Sequence, residues 1–408
     1  MDWALTYSTA TIEGASVFAL MAVLVGTGLV ARGAAVLVDR GGTAAVYFGV
    51  LLISLATTLP EIFLVGMSSS PQPKILSSAQ ADMVASLTGV YYPVGIVLGS
   101  TLTNLLLILG LTGAAFAKVG QGVDVGRITL WIFVILLALG ALTVGSTYVW
   151  HNFPLPDFAV PPPAWIGGLL MGLGLIYLIV SFFVEIERRS LGRSGDAGEG
   201  ARASGSGHWF FILFGLAIVA AAAYFLTQNI GLLVRIPFPA ASDLVVSADQ
   251  PLELNRIRYG MFGFLIVGSL VALPELIAIF LCRIGLKARR PRDELATGTI
   301  LGASILNLCL LLGAAIVVSS TGGYPVTVDP DIFGTDVTVI MVAIVLIVFF
   351  FLLYSDLAWW EGVILFALWL GYWLWRFWST NEAIAEYVKK LTSLDLPSLT
   401  AALSRAIA

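Results

Sequence analysis

Ten apolar stretches recur along this chain, at 14–38, 44–69, 93–116, 127–148, 164–184, 208–234, 257–282, 295–320, 334–354 and 359–378. A bilayer core ~30 Å thick takes about 20 apolar residues of helix to cross, and most of these stretches reach that length. They lack the alternation of polar and apolar residues that a barrel strand needs. Backbone in lipid must satisfy its own hydrogen bonds, so helices are the expected solution. With 59% hydrophobic and 11% charged residues, the chain is expected to be an all-α integral membrane protein of ten transmembrane helices. The N-terminus shows no basic region leading into a short apolar core with a small-residue cleavage site. Residues 14–38 are therefore expected to be a retained first helix.

The basic residues are unevenly distributed. Numbered from the N-terminus, the odd loops hold Arg40, Lys118, Arg127, Arg188, Arg189, Arg193, Arg202, Lys287, Arg289, Arg290 and Arg292; the even loops hold Lys74, Arg235, Arg256 and Arg258. The positive-inside rule makes the first set cytoplasmic and puts both termini outside, although Lys389, Lys390 and Arg405 in the C-terminal tail run against this. A prokaryotic inner or plasma membrane is the expected location. The net charge of −4 gives no basis for a nucleic-acid partner. The lipid bilayer and small inorganic cations are the expected partners.

The ten stretches also repeat. GVLLISLATTLPE ends at Glu61 and GFLIVGSLVALPE ends at Glu275, 214 positions later. GIVLGSTLTNLLLILG (95–110) is matched by GTILGASILNLCLLLG (298–313), which pairs Gly95, Gly99, Asn104 and Gly110 with Gly298, Gly302, Asn307 and Gly313. Each half reads as a first helix, a Leu-Pro-Glu helix, a Gly-rich helix with a buried Asn, and two plainer helices. Five helices is an odd number, so the expected fold is two inverted five-helix repeats: 1–184 and 208–380, joined by a flexible cytoplasmic linker at 185–207 and followed by a tail at 381–408. The linker, rich in Gly, Ser and Arg, is too short to fold into a sensing domain.

A carboxylate one residue after a proline is costly in such a segment. Each acid costs ~2.5–3.5 kcal/mol at a bilayer centre, and each proline removes a helical hydrogen bond. Pro60 cannot donate to the carbonyl of Ala56, nor Pro274 to that of Leu270. Both helices are therefore expected to free a carbonyl one turn before the acid. Carboxylate, amide, hydroxyl and carbonyl oxygens are hard ligands, suited to Ca²⁺. Cys282 and Cys309 and the helix-flanking His151 and His208 do not suggest a soft-metal site.

These signatures resemble the cation/calcium exchanger superfamily, in the stretches Ala56-Thr57-Thr58-Leu59-Pro60-Glu61, Gly99-Ser100-Thr101-Leu102-Thr103-Asn104, Leu270-Val271-Ala272-Leu273-Pro274-Glu275 and Gly302-Ala303-Ser304-Ile305-Leu306-Asn307. The resemblance implies a secondary-active antiporter rather than an enzyme, without a cofactor, exchanging Ca²⁺ for Na⁺ or H⁺ by alternating access. It implies Glu61 and Glu275 as the principal ligands, with Asn104, Asn307, Thr57, Thr58 and Ser100 nearby. Three departures stand out. The second half has Val271-Ala272 where the family carries hydroxyls, Ala303 where the first half has Ser100, and Asn307 where sodium-coupled members often carry Asp. Coupling to three Na⁺ is accordingly expected to be impaired. A transport-impaired relative serving as a structural subunit, or an exchanger of another cation, is the alternative reading. No nucleophile–base pair suggests an intramembrane enzyme.

The first half carries an extra segment at 70–92, and Asp82, Asp157, Asp243, Asp249, Glu253, Asp329, Asp331 and Asp336 lie in the even connections. Solvated loops or an acidic rim would both account for them. The Trp-rich last stretch (Trp359, Trp360, Trp369, Trp373, Trp375, Trp378) is expected to anchor at an interface and meet lipid or a partner.

Overall fold

The computed structural model describes residues 9–41, 43–69, 93–116, 134–141, 163–192, 207–233, 263–285, 289–322, 335–354 and 357–393. They are almost entirely helical: α1 (Thr9–Gly41), α2 (Thr43–Ser69), α3 (Pro93–Ala115), α4 (134–141), α5 (Ala164–Gly192), α6 (Gly207–Leu233), α7 (263–285), α8 (289–322), α9 (Val337–Tyr354) and α10 (Trp359–Ser393). Six helices among the described residues contain a stretch long and apolar enough to cross a membrane, while the apolar parts of α2 and α9 are shorter. Of the expected fourth span only 134–141 is described. The extra segment at 70–92 and the connections at 149–162, 234–256 and 323–333 lie outside the described residues. Helix α5 runs to Gly192, past the expected linker boundary at 184, and α10 runs unbroken to Ser393, past the expected boundary at 380.

Two helices form the centre. Of the apolar span in α3, 94% is buried within the protein, and in α8 78%, against 28% in α5 and 33% in α6. The apolar sides of α5 and α6, including Phe182, Phe183, Phe210 and Leu213, face outward. Lipid tails are as apolar as leucine, so burial alone does not pull helices together in a membrane. Close backbone approach at small residues does.

That approach is reciprocal between the halves. Gly99 on α3 lies against the backbone of Phe264 on α7, and a Cβ on Gly268 would sit 2.7 Å from the amide nitrogen of Ser100. The counterpart of Gly99 is Gly302 on α8, which packs on α2 beside Ser54, whose hydroxyl donates to the carbonyl of Thr299 at 3.4 Å. Gly110 at the far end of α3 meets Gly362 on α10, while its counterpart Gly313 meets Gly167 on α5. Each Gly-rich helix thus packs on the Leu-Pro-Glu helix and the fifth helix of the opposite half. The contacts at these glycines are exchanged between the two halves. Helices α1 and α6 form a separate close seam at Gly26, Gly33 and Gly215.

The central helices share one more irregularity. A π-helical turn covers Thr103–Ile108 in α3 and Leu306–Leu311 in α8, at equivalent positions of the repeat, and in each the second residue is the buried asparagine. Just before it, Thr101 donates to the carbonyl of Val97 (2.8 Å) and Ser304 to that of Ile300 (2.9 Å), again equivalent pairs. Such back-bonds compete with the helical ladder and help to bend it.

The two Leu-Pro-Glu helices differ in shape. Helix α2 continues through Pro60 without interruption. Helix α7 begins as a π turn (Gly263–Val267), runs on through Gly268–Val271, breaks at Ala272 and resumes as Leu273–Gly285.

Gly99→Ala places a methyl group against immovable backbone at the central crossing and is expected to destabilise the protein by about 3 kcal/mol or more. Gly172→Ala, on α5 with no atom near its Cβ position, is expected to be neutral or stabilising. Thermal unfolding of the two purified variants in detergent measures the contrast.

Candidate cation site

The Leu-Pro-Glu sequence sets each acid in a buried helical segment, and the glycine crossings bring those segments against α3 and α8. Glu61 on α2 and Glu275 on α7 are both fully buried. They lie within electrostatic reach of one another. Ser100 Oγ donates to Glu61 Oε1 at 2.8 Å, and Asn307 Nδ2 lies 3.1 Å from the same oxygen and 3.2 Å from Ser100 Oγ. Residues 39, 207 and 246 positions apart therefore converge on one carboxylate oxygen.

Glu275 is treated differently. Thr57 lies beside it, but the single hydroxyl proton of Thr57 goes to the carbonyl of Ser54 at 3.0 Å. Neither oxygen of Glu275 has a hydrogen-bond partner. The sequence explains why: the counterpart of Ser100 is Ala303, which has no hydroxyl to offer. Asn104, the counterpart of Asn307, is fully buried with both Oδ1 and Nδ2 unpartnered.

Beyond these, Glu61 Oε2, Asn307 Oδ1 and Thr58 Oγ1 are also buried without partners. Buried polar atoms are nearly always hydrogen-bonded, and leaving one orphaned costs ~1–3 kcal/mol. These orphaned oxygens lie on α2 and α7, which bear the two acids, and on the central helices α3 and α8. The donors are carboxylate, amide and hydroxyl oxygens, which fit a hard cation. Among the described residues no group of three or more His, Cys, Asp or Glu could hold a metal, so any cation here would rely on two carboxylates and neutral oxygens.

The expected carbonyl ligands fare unequally. Ala56 is fully buried, whereas the side chain of Leu270 faces outward and its carbonyl accepts the N–H of Ala272 at the break in α7. That bond uses one of the two acceptor positions of the Leu270 carbonyl.

Three features of this region were not read from the sequence. Nothing in the residue types marked the π turns that carry Asn104 and Asn307. Helix α10, expected to serve as an interfacial anchor, instead fastens onto the core with one face: Trp373 Nε1 donates to the carbonyl of Leu265 in the π turn of α7 (3.0 Å), and Trp369 Nε1 lies 3.4 Å from Thr103 Oγ1. Buried indole N–H groups need such acceptors. Trp359, Trp360, Trp375 and Trp378 do face outward, as expected. Asp336, expected in a solvated or acidic connection, is instead buried, bonded to the Tyr372 hydroxyl and paired with Arg376 (Nε–Oδ1 3.2 Å).

Residues 207–378, covering α6 to most of α10, match the family model described as sodium/calcium exchanger protein. The match thus lies within the second half. Among solved structures, the sodium-calcium exchanger NCX_Mj has the same fold. Soaked with 2.5 mM Na⁺ and 0.1 mM Ca²⁺ it is 18% identical over 88% of this chain and 96% of its own, with a TM-score of 0.53. Soaked with 10 mM Na⁺ and 10 mM Sr²⁺ the values are 18%, 89%, 97% and 0.53, and with neither Na⁺ nor Ca²⁺ they are 19%, 88%, 96% and 0.53. No curated protein sequence matches the chain. The family match and the shared fold both agree with the resemblance of the signatures to the cation/calcium exchanger superfamily.

The hydrogen bonds predict opposite consequences for two buried polar residues of α3, Ser100 and Asn104. Ser100→Ala removes a donor to a buried carboxylate and is expected to cost about 1.5–3 kcal/mol in the ion-free protein. Asn104→Leu removes two orphaned polar atoms and is expected to leave thermal stability unchanged or higher. Differential scanning fluorimetry without added Ca²⁺ checks both.

Proposed function

We propose that this chain is a cation antiporter that exchanges Ca²⁺ for Na⁺, holding the ion between Glu61 and Glu275. The observation that carries the reading is the pair itself: two fully buried carboxylates on equivalent helices, near one another, with three of their four oxygens free of hydrogen bonds. Asn104, Asn307, Thr58 and Ser100 supply further oxygens, and the Ala56 and Leu270 carbonyls lie one turn before each acid. The matches to sodium/calcium exchangers favour Na⁺ over H⁺ as the counter-ion.

The chain's own residues supply the energetics. Two charged carboxylates without a counter-charge in a low-dielectric site are costly to carry across the midplane. Divalent or monovalent cations remove that cost, so only loaded forms reorient. In this reading the second half enters the membrane inverted, which makes the Glu61 and Glu275 helices approach the site from opposite sides.

Stoichiometry follows from the asymmetry. Two acids balance one Ca²⁺ or two Na⁺, and the second half lacks hydroxyls at Val271, Ala272 and Ala303. Exchange is therefore expected to move little net charge. In proteoliposomes, an outward Na⁺ gradient should drive uptake of radiolabelled Ca²⁺, an imposed membrane potential should change the rate less than about twofold, and Glu61→Gln or Glu275→Gln should abolish uptake. Undiminished uptake by Glu275→Gln, or uptake driven by a pH gradient alone, would contradict the assignment. A chain that neither binds nor moves these ions would point to a structural subunit.

A further inference from the structure

Arg32 is an arginine inside a membrane-spanning stretch, and cation exchange makes no use of it. It lies within the apolar span Val17–Val38 of α1, and its side chain is outward-facing. Its guanidinium sits over the Phe211 ring at 5.5 Å, and no carboxylate among the described residues pairs with it. A lone cation within a span costs several kcal/mol unless something compensates it, and such residues mark functional contacts by default.

Arg32 forms part of the wall of a groove. Between α1 and the Glu275-bearing part of α7, a cavity of about 740 Å³ opens on the outer surface of the helices. Met21, Val25, Ala35, Ile277 and Leu281 line it, and among the described residues Arg32 is its only charged lining residue. The two helices approach closely at Gly28, where an added Cβ would be 3.1 Å from Leu281. An apolar trough with one cation in its wall has the chemistry of a lipid: acyl chain along the trough, headgroup phosphate on the guanidinium. Arg pairs phosphate through two parallel N–H donors, and an anionic headgroup leaves that phosphate's charge to the guanidinium, whereas a choline headgroup already neutralises it with its own ammonium.

The position agrees with the charge pattern of the sequence. Arg32 lies in the last third of α1, toward the loop holding Arg40, on the side that the basic loops assign to the cytoplasm. That leaflet carries the anionic lipids, and basic pockets between transmembrane helices there bind acidic headgroups. We propose that the groove between α1 and α7 is a binding site for one anionic phospholipid, with its phosphate held by Arg32. The chain would lie beside Ile277, two residues from Glu275, and its removal would change what supports that helix.

Full-length protein in a neutral detergent, titrated with phosphatidylglycerol or phosphatidylcholine and analysed by native mass spectrometry, tests the site. The wild type should retain one phosphatidylglycerol in preference to phosphatidylcholine. Arg32→Gln should lower that preference about fivefold, in line with the contribution of one basic residue, while Arg32→Lys keeps part of it. Val25→Trp, which fills the trough from its outward-facing side, should reduce retention of both lipids. Wild-type preference in Arg32→Gln would overturn the proposal. So would competition by chain-free glycerophosphoglycerol, which would mean a phosphate site and not a lipid site, or loss of preference only on neutralising Arg289 and Arg290.

Discussion

The backbone crossing at Gly99 and Gly268 is the constraint on which the rest of this structure depends. Because neither residue has a side chain, α3 and α7 approach until Gly99 lies on the Phe264 backbone and the Ser100 amide lies beside Gly268. Its reciprocal, Gly302 against Ser54, seats α8 on α2. No side chain of the site could be where it is without these two crossings. Ser100 follows Gly99 directly, and Asn307 lies five residues beyond Gly302, so closing the glycine contacts delivers both donors to Glu61. In lipid, where apolar burial offers little preference among helix partners, such backbone contacts do the selecting.

The same frame carries an unequal load. At the level of the backbone the halves match closely: equivalent π turns, equivalent hydroxyl back-bonds, exchanged glycine contacts. At the level of hydrogen bonds they do not. One hydroxyl, present in Ser100 and missing in Ala303, accompanies the difference between a bonded Glu61 and an unbonded Glu275. Val271 and Ala272 in place of Thr57 and Thr58 accompany the break at Ala272 in α7, where α2 stays continuous. A repeat gives two similar scaffolds, and a few substitutions make them chemically distinct.

Much of this was legible in the residues because the expensive features of a membrane helix stand out. Glutamate after proline, asparagine in an apolar run and glycine at four-residue spacing each have a physical cost or purpose that marks them. What stayed hidden has equally physical causes. A π turn depends on how a whole helix is loaded, so neither Thr103–Ile108 nor Leu306–Leu311 has a residue signature. Trp369 and Trp373 have the same composition signal as interfacial tryptophans; only the position of their N–H groups against Thr103 and Leu265 distinguishes a clasp from an anchor. Asp336 reads as a loop acid until Arg376, forty residues on, is seen beside it.

The clasp and the site are mechanically connected. Trp373 satisfies a carbonyl in the π turn of α7, while the Asp336–Tyr372–Arg376 cluster fixes the same helix α10 to the start of α9. The first segment of α7 is thus held from one side by α10 and from the other by the Gly99 crossing, whereas the second segment, beyond the break at Ala272, carries Glu275 and lies along α1. A break between a clamped segment and one packed on α1 is where a helix can bend without disturbing the two crossings that hold Ser100 and Asn307 on Glu61. Helix α2 has no such break, and its glutamate is the one with hydrogen bonds. The two acids thus sit on different supports: Glu61 on an unbroken helix with two donors, Glu275 beyond the break at Ala272 with none.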